Sequence, residues 1–362
     1  MREYIRFCSE MAERPPDFSG MGEAERAAEA ERLREEAMEE ARRLTEAGDL
    51  EGGRWREGEA RILDFDPKQS GIYMNRCTAV DVRTFDYDEE SPIGPMMLTD
   101  KVYQPNQRVD ICGGLNILTV KIACSDVGYP IKVYGTVRAR DSIDDRCVYL
   151  FRRDRDHCQY IKSKDKSLIL TGPKRGLAVL DDNFVEIDLK IKGRRGQDRE
   201  LSKGFIRIRG LPGRSLETCV VETKSLATRL STVDVEYAVV KRAVEATIAV
   251  EVLEGDFVGT IIAHTTCVKT NLLLYHSEVA GDGHGVIQVK RPAVSVFMKE
   301  LLIIAAKTED GKSIGRIAFT PKIKGRAEDV LNVGATKMRV KVAWSIMDPL
   351  IALNPLVVKH HL

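Results

Sequence analysis

The sequence predicts a mainly β protein: an antiparallel β-sandwich-like domain preceded by one long, charged N-terminal α-helix. Three observations lead to this prediction. Apolar and polar residues alternate with a period of two in many segments after Arg61. Short turn sequences separate these segments, and no second long amphipathic helix follows Arg61, which excludes doubly wound and barrel α/β folds. The 362 residues can bury a large core without metal or disulfide staples.

The N-terminal helix is predicted over residues 21–48, after a tail at 1–20. The segment "MGEAERAAEAERLREEAMEEARRLTEA" has no proline and many Glu–Arg pairs at helical spacing. A solvated helix beside the fold is the main interpretation, and a helix that binds a protein partner, for example in a coiled coil, is the alternative. The apolar stripe of this helix consists of Ala30, Leu33, Ala37, Ala41 and Leu44.

The rest of the chain divides into four predicted regions. Glycines in "GDLEGGRWREGE" predict a flexible linker at 49–61. Residues 62–110 include the loop-like "DEESPIGP" and are expected to pack on the core as an irregular extension. One β-sandwich domain is predicted over 111–348, and a C-terminal tail over 349–362.

Five segments show the strand alternation most clearly, each with its apolar residues directed toward the core. They are "IKVYGTVRA" from Ile131, "FVEIDLKIK" from Phe184, "TVDVEYAVV" from Thr232, "VEATIAVEV" from Val244 and "KMRVKVAWSI" from Lys337.

Composition narrows the class of protein. Lysine plus arginine (56) nearly equals aspartate plus glutamate (55), so the chain lacks the positive field that attracts nucleic acid or anionic lipid. The eight cysteines form no CxxC pair, which argues against a zinc ribbon and predicts mainly reduced, buried thiols. The N-terminus carries charges where a signal peptide is apolar, and no stretch reaches the length of a membrane span. The sequence thus predicts a cytoplasmic or nuclear protein that is not secreted.

The sequence contains no complete catalytic or cofactor-binding motif. The Gly-Lys-Ser of "TEDGKSIG" lacks the first glycine of a phosphate-binding loop, since Ala306 stands there. The histidines show no metal-ligand spacing, and no nucleophile elbow occurs. We therefore expect no catalytic residue, no cofactor and no enzyme activity.

Two acidic loops form a candidate calcium site. If the strand from Ile131 runs up, the next strands bring both loops to one end of the sandwich, where their oxygen ligands could share a calcium ion. Gly172-Pro173 can turn the chain and reverse this placement. A calcium- or lipid-responsive sandwich is one alternative, and ordinary acidic hairpin turns are the other. The candidate ligands are Asp141, Asp144, Asp145, Asp181 and Asp182.

A basic run supplies a second candidate surface. Arg152, Arg153 and Arg155 lie in "FRRDRDH", which is interleaved with acids and not with aromatic residues that could stack on bases. The sequence therefore carries no specific nucleic-acid signal. Solvated charges at a turn or a sheet edge also explain this run.

The blocks "SDVGYPIKVYGTVRARDSIDDRCVYLFRRDRDHCQ" and "LSTVDVEYAVVKRAVEATIAVEVLEGDFVG", with the ending "ATKMRVKVAWSIMD", resemble a family of cereal grasses, the plant domain of unknown function 6598. Val333 replaces a cysteine of that pattern. The resemblance implies a β-rich, sandwich-like domain without established activity.

The same resemblance suggests a process. Some members of the family resemble ribosome-inactivating proteins joined to this domain, which implies an accessory role in plant defence or stress. Only a short helix and linker precede the β-region here, and "EEARR" lies in the charged helix, so toxin activity is not expected. A non-enzymatic binding or scaffold domain is the leading functional hypothesis.

Overall fold

The computed structural model describes residues 20–104, 109–214, 217–277 and 285–348. The predicted tails lie outside these residues, apart from Gly20. Two helices come first, α1 (Glu23–Glu46) and α2 (Leu50–Ile62). The strands are β1 (Leu63–Asp66), β2 (Gly71–Met74), β3 (Gly113–Ser125), β4 (Ile131–Arg140), β5 (Val148–Arg153), β6 (Gln159–Ile161), β7 (Leu177–Val179), β8 (Asn183–Ile191), β9 (Arg199–Ile208), β10 (Cys219–Thr228), β11 (Ser231–Val240), β12 (Ala243–Glu254), β13 (Gly259–Thr265), β14 (Leu272–His276), β15 (Val286–Ile287), β16 (Ala293–Phe297), β17 (Leu302–Thr308), β18 (Ile314–Phe319), β19 (Lys324–Val333) and β20 (Thr336–Ile346).

The structure confirms the predicted mainly β, antiparallel fold. The five alternating segments lie in β4, β8, β11, β12 and β20, and these strands pair antiparallel with their neighbours. Every residue that the alternation directs inward is buried; Val133, Val185 and Val235, for example, have no exposed surface. Period-two alternation predicts these strands well because one face of each sheet lies on a core.

Two hydrophobic cores, and not one, lie within the region predicted as a single sandwich domain, 111–348. The first lies between the sheets β10-β11-β3-β7 and β5-β4-β8-β9. The second lies between the sheet β16-β12-β20-β19, to which β15 also belongs, and the sheet β14-β13-β17-β18. We call these units the first sandwich (β3 to β11) and the second sandwich (β12 to β20).

The two sandwiches repeat one strand order. If β3, β4 and β5 are matched to β12, β13 and β14, and β7 to β11 are matched to β16 to β20, each sheet of the first sandwich reproduces a sheet of the second. The exceptions are small: β6 pairs with β4, whereas β15 pairs with β12. The chain therefore contains a structural duplication that the sequence alone did not indicate.

The predicted linker at 49–61 is wrong, because most of it forms α2. Asp49 caps this helix by accepting a hydrogen bond from the Gly52 N–H at 2.8 Å. The glycines of α2 allow close packing. A Cβ at Gly58, for example, would lie 2.4 Å from the Val82 carbonyl oxygen. Tertiary contact thus outweighs the low helix propensity of glycine.

The predicted helix is confirmed as α1, and its apolar stripe packs inside the protein. Ala30, Ala37 and Ala41 are buried, and Ala37 packs with Ala60 of α2 and Leu63 of β1. What α1 leaves to solvent is mainly charged. None of the described helices is long and apolar enough to cross a membrane.

The segment predicted as an irregular extension, 62–110, begins with the β1–β2 hairpin and then crosses the outward face of the sheet β5-β4-β8-β9. The Tyr73 hydroxyl donates to the Lys203 carbonyl at 2.9 Å, and the Cys77 N–H donates to Glu186 at 3.1 Å. This cover explains why Arg138, which the alternation directs to solvent, is buried.

A disulfide between Cys219 and Cys267 corrects the prediction of mainly reduced thiols for this pair. Cys219 begins β10 of the first sandwich, and Cys267 follows β13 of the second, so the bond joins the two units. Their 48-residue separation hides the pairing from any local motif. The free cysteines of the described residues are Cys77, Cys112, Cys124, Cys147 and Cys158, of which the first, second and fourth are buried.

Candidate functional site

A charged cleft of about 350 Å³ opens between α1 and the first sandwich. The helix α1, the strands β1 and β9 and the turn between β10 and β11 supply its walls. Most of the lining side chains are charged: Glu23, Arg26, Ala27, Ala30, Glu31, Arg34, Asp64, Glu200, Lys203, Arg229 and Leu230.

Arg229 organises the base of this cleft. It occupies the tight turn between β10 and β11 with a φ of 52°, a left-handed conformation that is uncommon outside glycine. Its guanidinium donates to Asp64 at 2.7 Å, to Glu200 at 2.8 Å and to the Phe65 carbonyl at 2.8 Å. Its backbone N–H donates to Asp66. Side chain and backbone together thus attach the turn to β1.

The two aspartates of β1 are almost completely buried. Asp64 also accepts hydrogen bonds from the Asn75 amide at 2.8 Å and from the Phe65 N–H at 2.9 Å. Burial alone would raise the pKa of Asp64, but the charge and hydrogen bond of Arg229 lower it below the ordinary value. Burial acts to lower the pKa of Arg229, but the neighbouring Tyr73 and Asp64 act in the opposite direction, and the pKa is raised overall. Both groups therefore stay charged near neutral pH.

The lowered pKa of Asp64 predicts a loss of stability in acid. A carboxyl whose pKa is lower in the folded state contributes stability above its unfolded pKa of about 4, and this contribution falls as the pH drops toward the folded pKa. Urea unfolding from about pH 7 to about pH 3 should show this decline. Asp64→Asn should unfold more easily at neutral pH and show a shallower decline. An unchanged slope in the variant would contradict the assignment to Asp64.

Three cations on the wall of the cleft are only loosely paired with the acids beneath them. The Arg26 guanidinium lies 4.0 Å from Asp66 and donates to the Arg229 carbonyl at 3.3 Å. The Arg34 guanidinium lies 3.6 Å from Asp64, but it also donates to the Leu63 carbonyl at 3.0 Å and to Glu31 at 3.3 Å. The Lys203 ammonium lies 3.6 Å from Asp64 and 3.5 Å from Glu200. These separations exceed the ordinary range for a charge-assisted hydrogen bond, about 2.7–2.9 Å. Donor capacity therefore remains on this side of the cleft.

The acidic loops predicted as a calcium site do meet at one end of the first sandwich. The Ser142 hydroxyl accepts hydrogen bonds from the N–H groups of Leu180 and Asp181 at 3.1 and 3.2 Å. However, Asp141 accepts two bonds from the buried Arg175 at 2.7 and 3.0 Å, so a protein cation already occupies this carboxylate.

The other candidate ligands also contact groups of the protein, and Asp144 shares Arg175 with Asp141 at 3.4 Å. Asp144 accepts from the Ser91 hydroxyl at 2.8 Å, and Asp182 accepts from Arg207 and from the Gly210 N–H. Burial and the neighbouring Asp141 and Asp144 raise the pKa of Asp145. In the described part of the chain, no group of three or more His, Cys, Asp and Glu residues is arranged to hold a metal ion.

The arginines predicted as a binding surface face different partners. Arg152 lies over the Tyr149 ring, 4.6 Å from its centroid. Arg153 donates to the His157 carbonyl at 3.0 Å, and Arg155 donates to both carboxylate oxygens of Asp198 at 2.7 and 3.2 Å. None of the three lines the cleft beside α1.

Sequence reasoning missed the residues that build the cleft. Asp64 and Asp66 stand in the short "LDFD" strand, and Arg229 lies in the hairpin turn "TRLS". The distance of 163 residues between Asp66 and Arg229 leaves no local motif. The only available signal was the pair of acids with period two in an otherwise apolar strand.

Residues 114–342 match the family described as "Domain of unknown function (DUF6598)". The chain belongs to the DUF6598 family. No curated protein matches this DUF6598 protein. Among solved structures, a calcium-bound two-domain fragment of extended synaptotagmin 2 is 7% identical at a TM-score of 0.23, over 66% of this chain and 97% of that chain. Human GIVD cytosolic phospholipase A2 is 9% identical at a TM-score of 0.21, over 67% of this chain and 33% of that chain. At these TM-scores neither likeness supports a functional conclusion.

Proposed function

We propose that this DUF6598 protein is a non-enzymatic binding module whose cleft beside α1 holds an anionic group, a carboxylate or phosphate, of its ligand. The observation that carries this function is the loose pairing of Arg26 and Lys203, whose cationic groups lie 3.5 to 4.0 Å from the acids below them. On sequence resemblance alone, we also propose a plant protein connected with defence or stress.

The balance of donors and acceptors in the cleft favours an anion. Asp64 and Glu200 already accept short hydrogen bonds from Arg229. The negative charge of these two carboxylates is therefore partly neutralised by the protein itself. The Nε of Arg26 is buried and has no hydrogen-bond partner among the described residues. An unsatisfied buried donor costs about 1–3 kcal/mol, so the Arg26 guanidinium keeps hydrogen-bonding capacity that the protein does not use.

The same cleft offers little for catalysis. Its lining residues include no histidine, cysteine or serine, the usual nucleophiles and bases. The ion pair with Arg229 keeps the pKa of Asp64 low, far from the near-neutral value that suits a general acid or base. These features support binding without chemistry.

Calorimetric titration with inorganic phosphate and with glycerol phosphate tests this function. The wild-type protein should bind both compounds, and Lys203→Ala should weaken binding roughly tenfold, as expected when a charge-assisted hydrogen bond is lost. Phosphorus NMR should recover the glycerol phosphate unchanged. Lys132→Ala is the matched control, because Lys132 is an exposed lysine on the same sheet outside the cleft. Absence of binding, equal weakening in the control, or conversion of the ester would each refute the proposal.

A further inference from the structure

The outward face of the sheet β14-β13-β17-β18 carries several partly exposed apolar residues. Ile261, Leu274 and Ile304 point into the second core. Because side chains alternate along a strand, Ile262, Leu273 and Ile303 point the opposite way. The backbone register places these three residues on neighbouring strands.

The edge strand β18 extends this apolar face. The register sets Ala318 beside Ile303 and sets Ile314 beside Lys307. Ala318 is exposed, and Ile314 retains 63% of its accessible surface. The face is therefore open to solvent on this side.

The structural duplication shows how the corresponding face of the first sandwich is used. There, the sheet β5-β4-β8-β9 carries the charged residues Arg138, Arg140 and Glu186, and residues 71–90 cover them. The second sandwich shows the converse: its matching face is apolar, while the β1–β2 hairpin contacts the first sandwich and α1 and α2 pack with that hairpin.

The charged residues on the apolar face are all basic or histidine. The register places Arg316 beside Ala305, Lys307 beside Thr260, and His264 beside Ile303. Among the described residues, neither Lys307 nor Arg316 forms a hydrogen bond or an ion pair through its side chain. Burial and the neighbouring Arg316 lower the pKa of His264. The face thus combines an apolar centre with unpaired positive charge.

We propose that this face docks an acidic amphipathic segment of a partner protein, whose apolar side covers Ile262, Leu273 and Ile303 and whose carboxylates pair with Lys307 and Arg316. Four strands span about 15 Å, and a helix with its side chains is about 10 Å across, so one helix fits on the sheet. A polypeptide occupant is favoured over lipid because a polypeptide segment covers the matching face of the first sandwich. The Glu-rich α1 of a second copy is not suitable, since its apolar stripe is already buried.

Fluorescence anisotropy with two synthetic peptides tests this docking surface. One peptide has leucine at i, i+3, i+4 and i+7 of a helix and glutamate at most other positions, and the other has lysine in place of glutamate. The full-length protein should bind the glutamate peptide at least roughly tenfold more tightly than the lysine peptide. Arg316→Glu and Ala318→Glu should each weaken that binding roughly tenfold.

The variants are chosen to leave folding intact, because both positions are exposed on an edge strand; circular dichroism should confirm this. Lys341→Glu makes the same change of charge on the other sheet of the second sandwich and should leave peptide binding unaltered. Equal affinity for both peptides, or equal losses in all three variants, would overturn the proposal. The proposal would also be overturned if the glutamate peptide does not bind and the wild type instead binds phosphatidylserine vesicles or self-associates, with Arg316→Glu abolishing that interaction.

Discussion

Replacing Arg229 by methionine should lower the free energy of unfolding by about 3 to 5 kcal/mol, the usual cost of breaking a buried ion pair from one side. Asp64 and Asp66 have almost no exposed surface, and the Arg229 guanidinium donates to Asp64 at 2.7 Å and to Asp66 at 3.4 Å. Without the guanidinium, the remaining cations lie 3.6 to 4.0 Å away and compensate only in part. Urea unfolding followed by circular dichroism measures the change.

Two further variants give this prediction its controls. Arg207→Met removes an arginine whose side chain is 65% exposed and paired with Asp182, and should cost no more than about 1 kcal/mol. Adding Asp64→Asn to Arg229→Met removes one of the buried carboxylates left without a guanidinium partner. The double variant should therefore lose less stability than the sum of the single changes. Additive losses, or a change in Arg229→Met no larger than in Arg207→Met, would show that the network does not stabilise the fold.

Removing the disulfide with Cys219→Ser and Cys267→Ser together should lower the free energy of unfolding by about 4 kcal/mol, given the 48-residue separation of its cysteines. The effect arises because the bond restricts the unfolded chain, and because it joins a strand of the first sandwich to a loop of the second. Urea unfolding of the oxidised wild type and the double variant measures it.

Cys124→Ser is the matched control for the disulfide, because Cys124 is free and exposed; its effect should stay within about 0.5 kcal/mol. A reducing agent should bring the wild type to the stability of the double variant and leave that variant unchanged. If the wild type unfolds at the same urea concentration with and without reductant, the disulfide does not contribute to stability.

The duplicated fold gives the two sandwiches different surroundings. In the first, the chain covers a charged sheet face with its own N-terminal segment, and the cleft beside α1 forms at the edge of that cover. In the second, the matching face presents Ile262, Leu273 and Ile303. One strand order thus supports two distinct surfaces, for which we propose an anionic ligand and an acidic partner segment.

Local patterns in the sequence were sufficient for α1 and for the five strands β4, β8, β11, β12 and β20. In β11 and β20, period-two alternation identified the inward residues, such as Tyr237 and Trp344, which are fully buried. The prediction succeeds because each of these strands has one face on a core, so apolar and polar residues alternate along it. The alanine stripe of α1 was correct for the same reason, with a helical period.

Only the tertiary structure decided the rest. Gly58 in isolation predicts a flexible segment, yet it lies inside α2, where Val82 approaches too closely for any side chain. The division into two cores depends on which strands pair across long separations, and alternation is identical in both. The cleft likewise depends on Arg229 reaching Asp64, 165 residues away. The sequence alone determined which residues face a core, because alternation is local; the structure decided which core, which cysteine pair and which buried charges meet, because those contacts are distant in the chain.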